Sequence, residues 1–103
     1  MQTVGRKKIM RRIEHDYSQV CFKPCGVRRR DIDRVELDCD EMEAIRLSDY
    51  KNLYQQEAAD KMGISRTTFS RLLESARKKI ANALLHNKAL TINTQEKNKQ
   101  ENR

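Results

Sequence analysis

The sequence predicts a mainly α domain, with a three-helix core that contains a helix-turn-helix and with short terminal β-strands. Two observations support this fold class. Apolar residues recur at spacings of three and four from Phe69 to Ala83, which is the period of an α-helix. The middle of the chain also contains residues that typically begin helices and a glycine that typically ends one. The length of 103 residues allows one domain with one modest core.

The two ends of the chain are predicted to lie outside the folded domain, which is placed at residues 9–92. Residues 1–8 include a Gly-Arg-Lys-Lys run and are expected to form a flexible basic arm. Residues 93–103 contain no apolar side chain and are expected to form a disordered polar tail. Within the domain, Ile9–Ile13 and Val20–Lys23 alternate in polarity and are expected to be extended, with at least one true strand. Pro24 and Gly26 then mark a turn.

The first helix is predicted to begin after Asp38, where Ile32, Val35 and Leu37 lead into it. Asp38 is a suitable N-cap and Glu41 stands three residues later, as in a capping box. Leu37 and Met42 have the spacing of a hydrophobic staple across that cap. The helix is expected to end within residues 49–52. The domain is expected to close with a short strand over Lys88–Ile92.

The residues from Gln55 to Glu74 predict the helix-turn-helix. A helix over Gln55–Met62 is expected to stop at Gly63, because glycine adopts the left-handed conformation at little cost. Ser65 is expected to cap a third helix that reaches residues 85–87. Ala59 is small where the two helices must meet, and Phe69 and Leu72 anchor the third helix.

This register predicts a DNA-recognition surface on the outer face of the third helix. Arginine pairs with guanine in the major groove, and serine and threonine serve several bases. Cations further along the helix suit phosphate contacts, and a basic triplet before the first helix is either a solvated charge run or a minor-groove arm. The predicted DNA-binding residues are Ser65, Arg66, Thr67, Thr68, Ser70, Arg71, Arg77, Lys78, Arg28, Arg29 and Arg30. Lys79 also suits a contact with the DNA backbone.

The charge distribution also favours a polyanion as partner. The net charge is +7, and it is unevenly placed: residues 1–30 carry a local +7, residues 31–60 a local −7 and residues 61–90 a local +6. Two basic segments therefore flank an acidic one. Because no apolar run is long enough to span a bilayer and no signal peptide precedes the domain, we expect a cytoplasmic protein without a membrane partner.

Several stretches resemble a small prokaryotic family, domain of unknown function 134 (uncharacterised protein family 0251), over about residues 9–92. The most specific matches are Phe22-Lys23-Pro24 with Gly26, Glu41–Leu47, Gln56–Ala59, Thr68-Phe69 with Arg71, Glu74–Lys79 and Lys88-Ala89-Leu90. The resemblance implies a helix-turn-helix like region 4 of sigma factors and predicted DNA binding. Two departures are visible: Ser70 replaces a usual glycine, and residues 15–18 lack the usual proline.

Metal binding and catalysis are weaker interpretations of the remaining polar clusters. Cys21, Cys25 and Cys39, even with His15 or His86, lack a Cys-x-x-Cys pair and favour reduced thiols over a zinc site. The acids around Asp38 suit the start of a helix better than acid–base chemistry. We therefore expect no enzyme activity, no metal and no cofactor.

The sequence thus predicts a transcriptional regulator that binds double-stranded DNA. One alternative is a protein-interaction module whose acidic first helix docks on a basic partner such as the transcription machinery. A second alternative is binding to structured RNA. A homodimer is expected to meet two DNA half-sites, with the predicted strands offering edges for pairing between chains.

Overall fold

The computed structural model describes residues 11–18 and 20–94, apart from the side chain of Arg29. Three helices and a small sheet confirm the mainly α fold with short strands. The elements are β1 (Cys21–Phe22), a 3-10 turn (Arg29–Asp31), β2 (Arg34–Asp38), α1 (Cys39–Ile45), a π-helical turn (Arg46–Tyr50), α2 (Gln55–Met62), α3 (Arg66–Leu85) and β3 (Ala89–Asn93). The arm predicted at residues 1–8 and residues 95–103 of the predicted tail lie outside the described residues. Asn93, assigned to that tail, is the last residue of β3.

The sheet has the strand order β1-β3-β2, with β1 antiparallel and β2 parallel to the central β3. β2 was not predicted as a strand, although Val35 and Leu37 are buried while Arg34 and Glu36 are exposed. That alternation is the period-two pattern of a half-buried strand. Of the two segments expected to be extended, Val20–Lys23 contains β1 (Cys21–Phe22) and so confirms the expectation of at least one strand, whereas residues 11–13 are not in a strand. Ile9 and Met10 lie outside the described residues.

The start of α1 confirms the predicted capping box. The main-chain N–H of Asp38 donates to Oε1 of Glu41 at 2.8 Å, and Leu37 before the cap is fully buried. The helix then widens into the π turn, where the N–H of Lys51 donates to the carbonyl of Arg46 at 2.9 Å. Asn52 follows with a φ of 61° and ends the helical segment within the predicted range.

The junction between α2 and α3 is as predicted. α2 ends at Gly63, whose φ of 70° lies in the left-handed region, and the N–H of Ile64 donates to the carbonyl of Ala59 at 3.1 Å. Ser65 caps α3 by accepting a hydrogen bond from the N–H of Thr68 at 3.0 Å. Hereafter the segment from Gln55 to Leu85 is called the two-helix unit.

One apolar core joins α1 to the two-helix unit. Its buried members are Ala44, Leu47, Ala58, Ala59, Met62, Phe69 and Leu73. Ala59 and Phe69 are both 0% exposed and belong to this core, as expected for a small residue at the helix junction and an aromatic anchor. Further along α3, Ala76 and Ala83 are buried on the same side of the helix. The position of α3 is therefore fixed along its length, and its opposite face is presented outward.

Candidate nucleic-acid interface

The outward face of α3 carries polar and cationic side chains from its first turn. The buried stripe of Phe69, Leu73 and Ala76 sets the register of the helix. At about 100° per residue, Thr67, Arg71 and Lys78 lie close to the direction opposite that stripe. All three are exposed, as are Arg66, Ser70 and Glu74. The exposed face of α3 is defined here as Arg66, Thr67, Ser70, Arg71, Glu74 and Lys78.

In the first two turns of α3, four predicted site residues make no side-chain hydrogen bond or ion pair with any described residue: Arg66, Thr67, Ser70 and Arg71. Their donors and acceptors remain available to a partner. Two other predicted residues differ, because Ser65 Oγ donates to Thr68 Oγ1 at 3.0 Å and accepts from the Thr68 N–H. Ser65 and Thr68 thus build the cap that fixes the start of α3.

The three cations further along α3 differ in whether they are already paired within the chain. Arg77 donates to both carboxylate oxygens of Asp49, through Nη2 at 2.6 Å and Nε at 3.2 Å. These hydrogen bonds lower the pKa of Asp49 and raise that of Arg77. Lys79 Nζ lies 2.8 Å from Oε1 of the buried Glu41 and is therefore already paired within the fold. Lys78 is exposed and forms no ion pair within the described chain, so it is the best placed of the three for a phosphate contact.

The basic triplet Arg28–Arg30 is on a different part of the molecule. Arg28 Nε lies 3.3 Å from Oδ2 of Asp31 across the 3-10 turn, and Arg30 is exposed. The carbonyl of Asp33 accepts from the N–H of Ala89 at 2.8 Å, which ties this segment to the strand that follows α3. The triplet is therefore anchored on the side of the α3 C-terminus, and the structure does not join it to the first turn of α3.

Arg12 supports the two-helix unit in a way that the sequence did not predict. Its guanidinium donates to the carbonyls of Asp60 (2.8 Å) and Lys61 (3.1 Å), and its main-chain N–H donates to the carbonyl of Met62 at 3.1 Å. These are carbonyls at the C-terminus of α2, where a cation is favoured. Arg12 thereby holds the N-terminal segment across the turn that precedes α3, beside an open groove that Ser65 and Thr68 also line.

The acids of α1 face the interior rather than a partner. Glu43 is 1% exposed and accepts hydrogen bonds from Tyr17 Oη at 2.6 Å and from Arg46 at 2.9 and 3.0 Å. Burial raises the pKa of Glu43, but these hydrogen bonds outweigh it and lower the pKa overall. Glu41 is similarly occupied by Lys79 and by Ser75. Cations from outside residues 31–60 therefore pair with some of the acids in this segment, and its local −7 is compensated in part within the fold.

The described residues offer little support for a metal site or a membrane span. They contain no group of three or more metal-ligating side chains. The thiols of Cys21 and Cys25 are exposed, and Cys39 Sγ lies 3.1 Å from the carbonyl oxygen of Asn93. Within the same part of the chain, no helix has the length and apolar character needed to cross a bilayer. The carboxylate of Asp40 pairs through Oδ2 with Nε of Arg11 at 3.3 Å.

Comparison with known proteins shows that the sequence matches a family. A family model described as "Protein of unknown function DUF134" matches residues 1–100. A UPF0251 protein of Vibrio cholerae is 51% identical over 89 residues, which cover 86% of this chain and 91% of that protein. One from Methanococcus maripaludis is 47% identical over 88 residues, covering 85% and 67%. For one from Prosthecochloris aestuarii the identity is 43%, and the match covers 85% of this chain but only 57% of the relative's length. No solved structure shows a significant match.

Proposed function

We propose that this chain, which belongs to the DUF134 family of UPF0251 proteins, binds double-stranded DNA in a sequence-specific manner through its two-helix unit. One observation carries the proposal. Four polar side chains in the first two turns of α3, namely Arg66, Thr67, Ser70 and Arg71, are exposed and have no side-chain partner among the described residues. The same helix is anchored by the fully buried Phe69. The two-helix unit would act as a helix-turn-helix, with α3 as the recognition helix.

The chemistry of these side chains suits the major groove. Arg66 and Arg71 each offer a planar set of donors that matches O6 and N7 of guanine, and the hydroxyls of Thr67 and Ser70 donate to or accept from several bases. Lys78 and, after release from Asp49, Arg77 would bind phosphate oxygens. Binding of this kind involves no chemical step, and we propose a cytoplasmic transcriptional regulator rather than an enzyme.

Two observations support DNA over the alternatives. A module that docks on the transcription machinery was expected to use the acids of α1, yet Glu41 and Glu43 are buried and paired within the fold. Structured RNA has a deep, narrow major groove that an α-helix does not enter, whereas the major groove of B-DNA admits one. A helix with four adjacent free polar side chains therefore fits duplex DNA best.

Arg71→Ala tests the proposal, with Lys78→Ala and Arg34→Ala as companions. Bound duplexes are first selected from a randomised pool, and the affinity of each variant is then measured on the preferred site and on a random duplex. Arg71→Ala should cost about 1–3 kcal/mol on the preferred site and relax the choice at one or two base pairs. Lys78→Ala should weaken all duplexes about equally, as loss of a phosphate contact does.

Arg34→Ala is the matched control. It removes the same charge from an exposed position on β2, outside the exposed face of α3, and should leave the sequence preference unchanged. The proposal is refuted if the unaltered protein fails to bind any duplex at low salt. It is equally refuted if Arg71→Ala and Arg34→Ala alter the selected sequences to the same extent.

A further inference from the structure

Glu74 is an uncompensated carboxylate in the middle of the exposed face of α3. It is the sole acid in the sequence between Arg66 and Leu85, and its side chain is exposed. Arg71 lies three residues before it and Lys78 four residues after it, which are spacings that allow ion pairs on a helix. Neither pair is formed, and Glu74 has no hydrogen-bond or ion-pair partner among the described residues. The negative charge therefore projects outward between two cations.

The isolation of Glu74 contrasts with the acids that precede it in α1 and the π turn. Glu41, Glu43 and Asp49 each have a cation within 2.6–2.9 Å, and Asp40 lies 3.3 Å from Arg11. A carboxylate on a surface that meets phosphates is repelled by them. Glu74 would thus weaken DNA binding unless it gains a hydrogen bond in the complex.

The position of Glu74 along α3 allows such a bond. At a rise of 1.5 Å per residue, it lies about 4.5 Å beyond Arg71 and about 12 Å beyond Arg66 along the helix axis. The major groove is about 12 Å wide, so a helix seated by its first turns keeps Glu74 within the groove. Lys78 lies about 6 Å further on, where the phosphate backbone is the nearer target.

The hydrogen-bonding capacity of an ionised carboxylate determines which base it can bind. It only accepts hydrogen bonds, so it requires a base that presents a donor. In the major groove cytosine presents the N4 amino group, whereas guanine presents two acceptors and thymine an acceptor and a methyl group. Adenine presents an N6 donor beside the N7 acceptor, and that acceptor repels a carboxylate. Cytosine is therefore the base that Glu74 fits best.

We propose that Glu74 is a specificity-determining residue that accepts a hydrogen bond from N4 of a cytosine in the bound site. The inference rests on the proposed DNA-binding function and deepens it. Glu74 then has two effects: it favours one base at one position, and it disfavours every duplex that lacks an amino group there. The carboxylate lowers non-specific affinity while it contributes to specific affinity.

The test compares duplex selections with the unaltered protein and with Glu74→Gln and Glu74→Ala. The unaltered protein should prefer cytosine at one position, by about five- to 150-fold over other bases. Glu74→Ala should lose that preference and bind random duplexes severalfold more tightly. Glu74→Gln should shift the preference from cytosine to adenine, because an amide pairs with both N6 and N7 of adenine. Melting curves confirm that both variants are folded.

Glu36→Ala is the control for net charge, since Glu36 is an exposed acid on β2 and its loss changes the charge by the same amount. If the unaltered protein selects a site, but both Glu74 variants select the same site and change affinity only as Glu36→Ala does, the inference about Glu74 is wrong while DNA binding stands. If the unaltered protein binds no duplex, the proposed function fails and the inference fails with it.

Discussion

Removing the Glu43 carboxylate is expected to destabilise the domain strongly without touching the exposed face of α3. Glu43 accepts four hydrogen bonds: one from Tyr17 Oη, two from Arg46 and one from the main-chain N–H of Glu14 at 3.1 Å. These contacts join the N-terminal segment to α1. Glu43→Ala leaves the Tyr17 hydroxyl and the Glu14 N–H without their acceptor, and leaves the guanidinium with fewer partners.

The magnitude follows from burial. Breaking a buried ion pair by removing one partner costs about 3–5 kcal/mol. The Arg46 side chain is 19% exposed and keeps its 3.0 Å contact with Glu14, so its charge is not left wholly uncompensated. We therefore expect a loss of about 3–4 kcal/mol, in the lower part of that range. This is a large share of the roughly 5–15 kcal/mol that stabilises a typical domain. Tyr17→Phe, which removes one hydrogen bond to the carboxylate, should cost about 1.5–3 kcal/mol.

Urea unfolding followed by circular dichroism at pH 7 measures these losses. Glu36→Ala is the control, because that acid is exposed and its removal should change the free energy of unfolding by less than about 0.5 kcal/mol. The reasoning is refuted if Glu43→Ala and Glu36→Ala unfold at the same urea concentration with the same slope.

The same carboxylate makes stability depend on pH with a defined sign. The pKa of Glu43 in the folded state is lowered from its ordinary value of 4.5, so the folded state binds fewer protons than the unfolded state. Its contribution is complete above pH 4.5 and is lost as the pH falls through the lowered pKa. Burial raises the pKa of Asp40, whose contribution has the opposite sign. Comparing Glu43→Gln with the unaltered protein isolates the Glu43 share, and the variant should lose less stability between pH 5 and about pH 3.

Three further predictions concern the core, the salt dependence and the assembly. Phe69→Ala should lower the free energy of unfolding by about 3–5 kcal/mol in thermal melts, because Phe69 is 0% exposed; an unchanged melting temperature would contradict the assigned register. If six phosphates are neutralised, the affinity for a random duplex should fall about a thousandfold between about 50 and 200 mM salt. Fluorescence anisotropy measures this affinity, and salt-insensitive binding would contradict a phosphate interface. Light scattering at micromolar concentration should detect a dimer on DNA that carries two half-sites, whereas a strict monomer would exclude it.

The structure also limits which strand edges could pair between two chains of a dimer. Lys88–Ile92 was expected to offer an edge for pairing between chains, but the corresponding strand β3 lies between β1 and β2 and pairs with both. Its edges are therefore occupied within one chain. The described strands with an open side are β1 and β2. Leu84 and Leu85 at the end of α3 are 74% and 75% exposed and offer an apolar surface for a second copy.

The sequence predicted the two-helix unit well because its determinants are local. Gly63, Ser65 and the spacing from Phe69 to Ala83 act within a few residues of where they stand, and each produced the expected cap or helix. β2 was missed because its alternation spans only five residues and its partner is far along the chain. Short apolar segments of this kind are ambiguous without knowledge of the pairing strand.

The candidate site shows the same division between local and long-range determinants. Exposure of Thr67 and Arg71 follows from the helical period alone. The pairing of Arg77 with Asp49, 28 residues earlier, and that of Lys79 with Glu41, 38 residues earlier, depend on how α1 packs against α3. The attachment of Arg12 to Asp60 spans 48 residues. No local pattern in the sequence identifies which distant charges will meet.

The central place of β3 in the sheet has a consequence for the order in which the domain folds. During synthesis β1 and β2 emerge first, yet they do not pair with each other, and both form hydrogen bonds to β3. The two-helix unit is complete when Leu85 has been made, whereas the sheet has no central strand until residues 89–93 follow. A nascent chain that stops before Ala89 therefore has helices and two strands without the partner that unites them. Because non-local strand pairing is slow, closure of this sheet is expected to be the last step of folding.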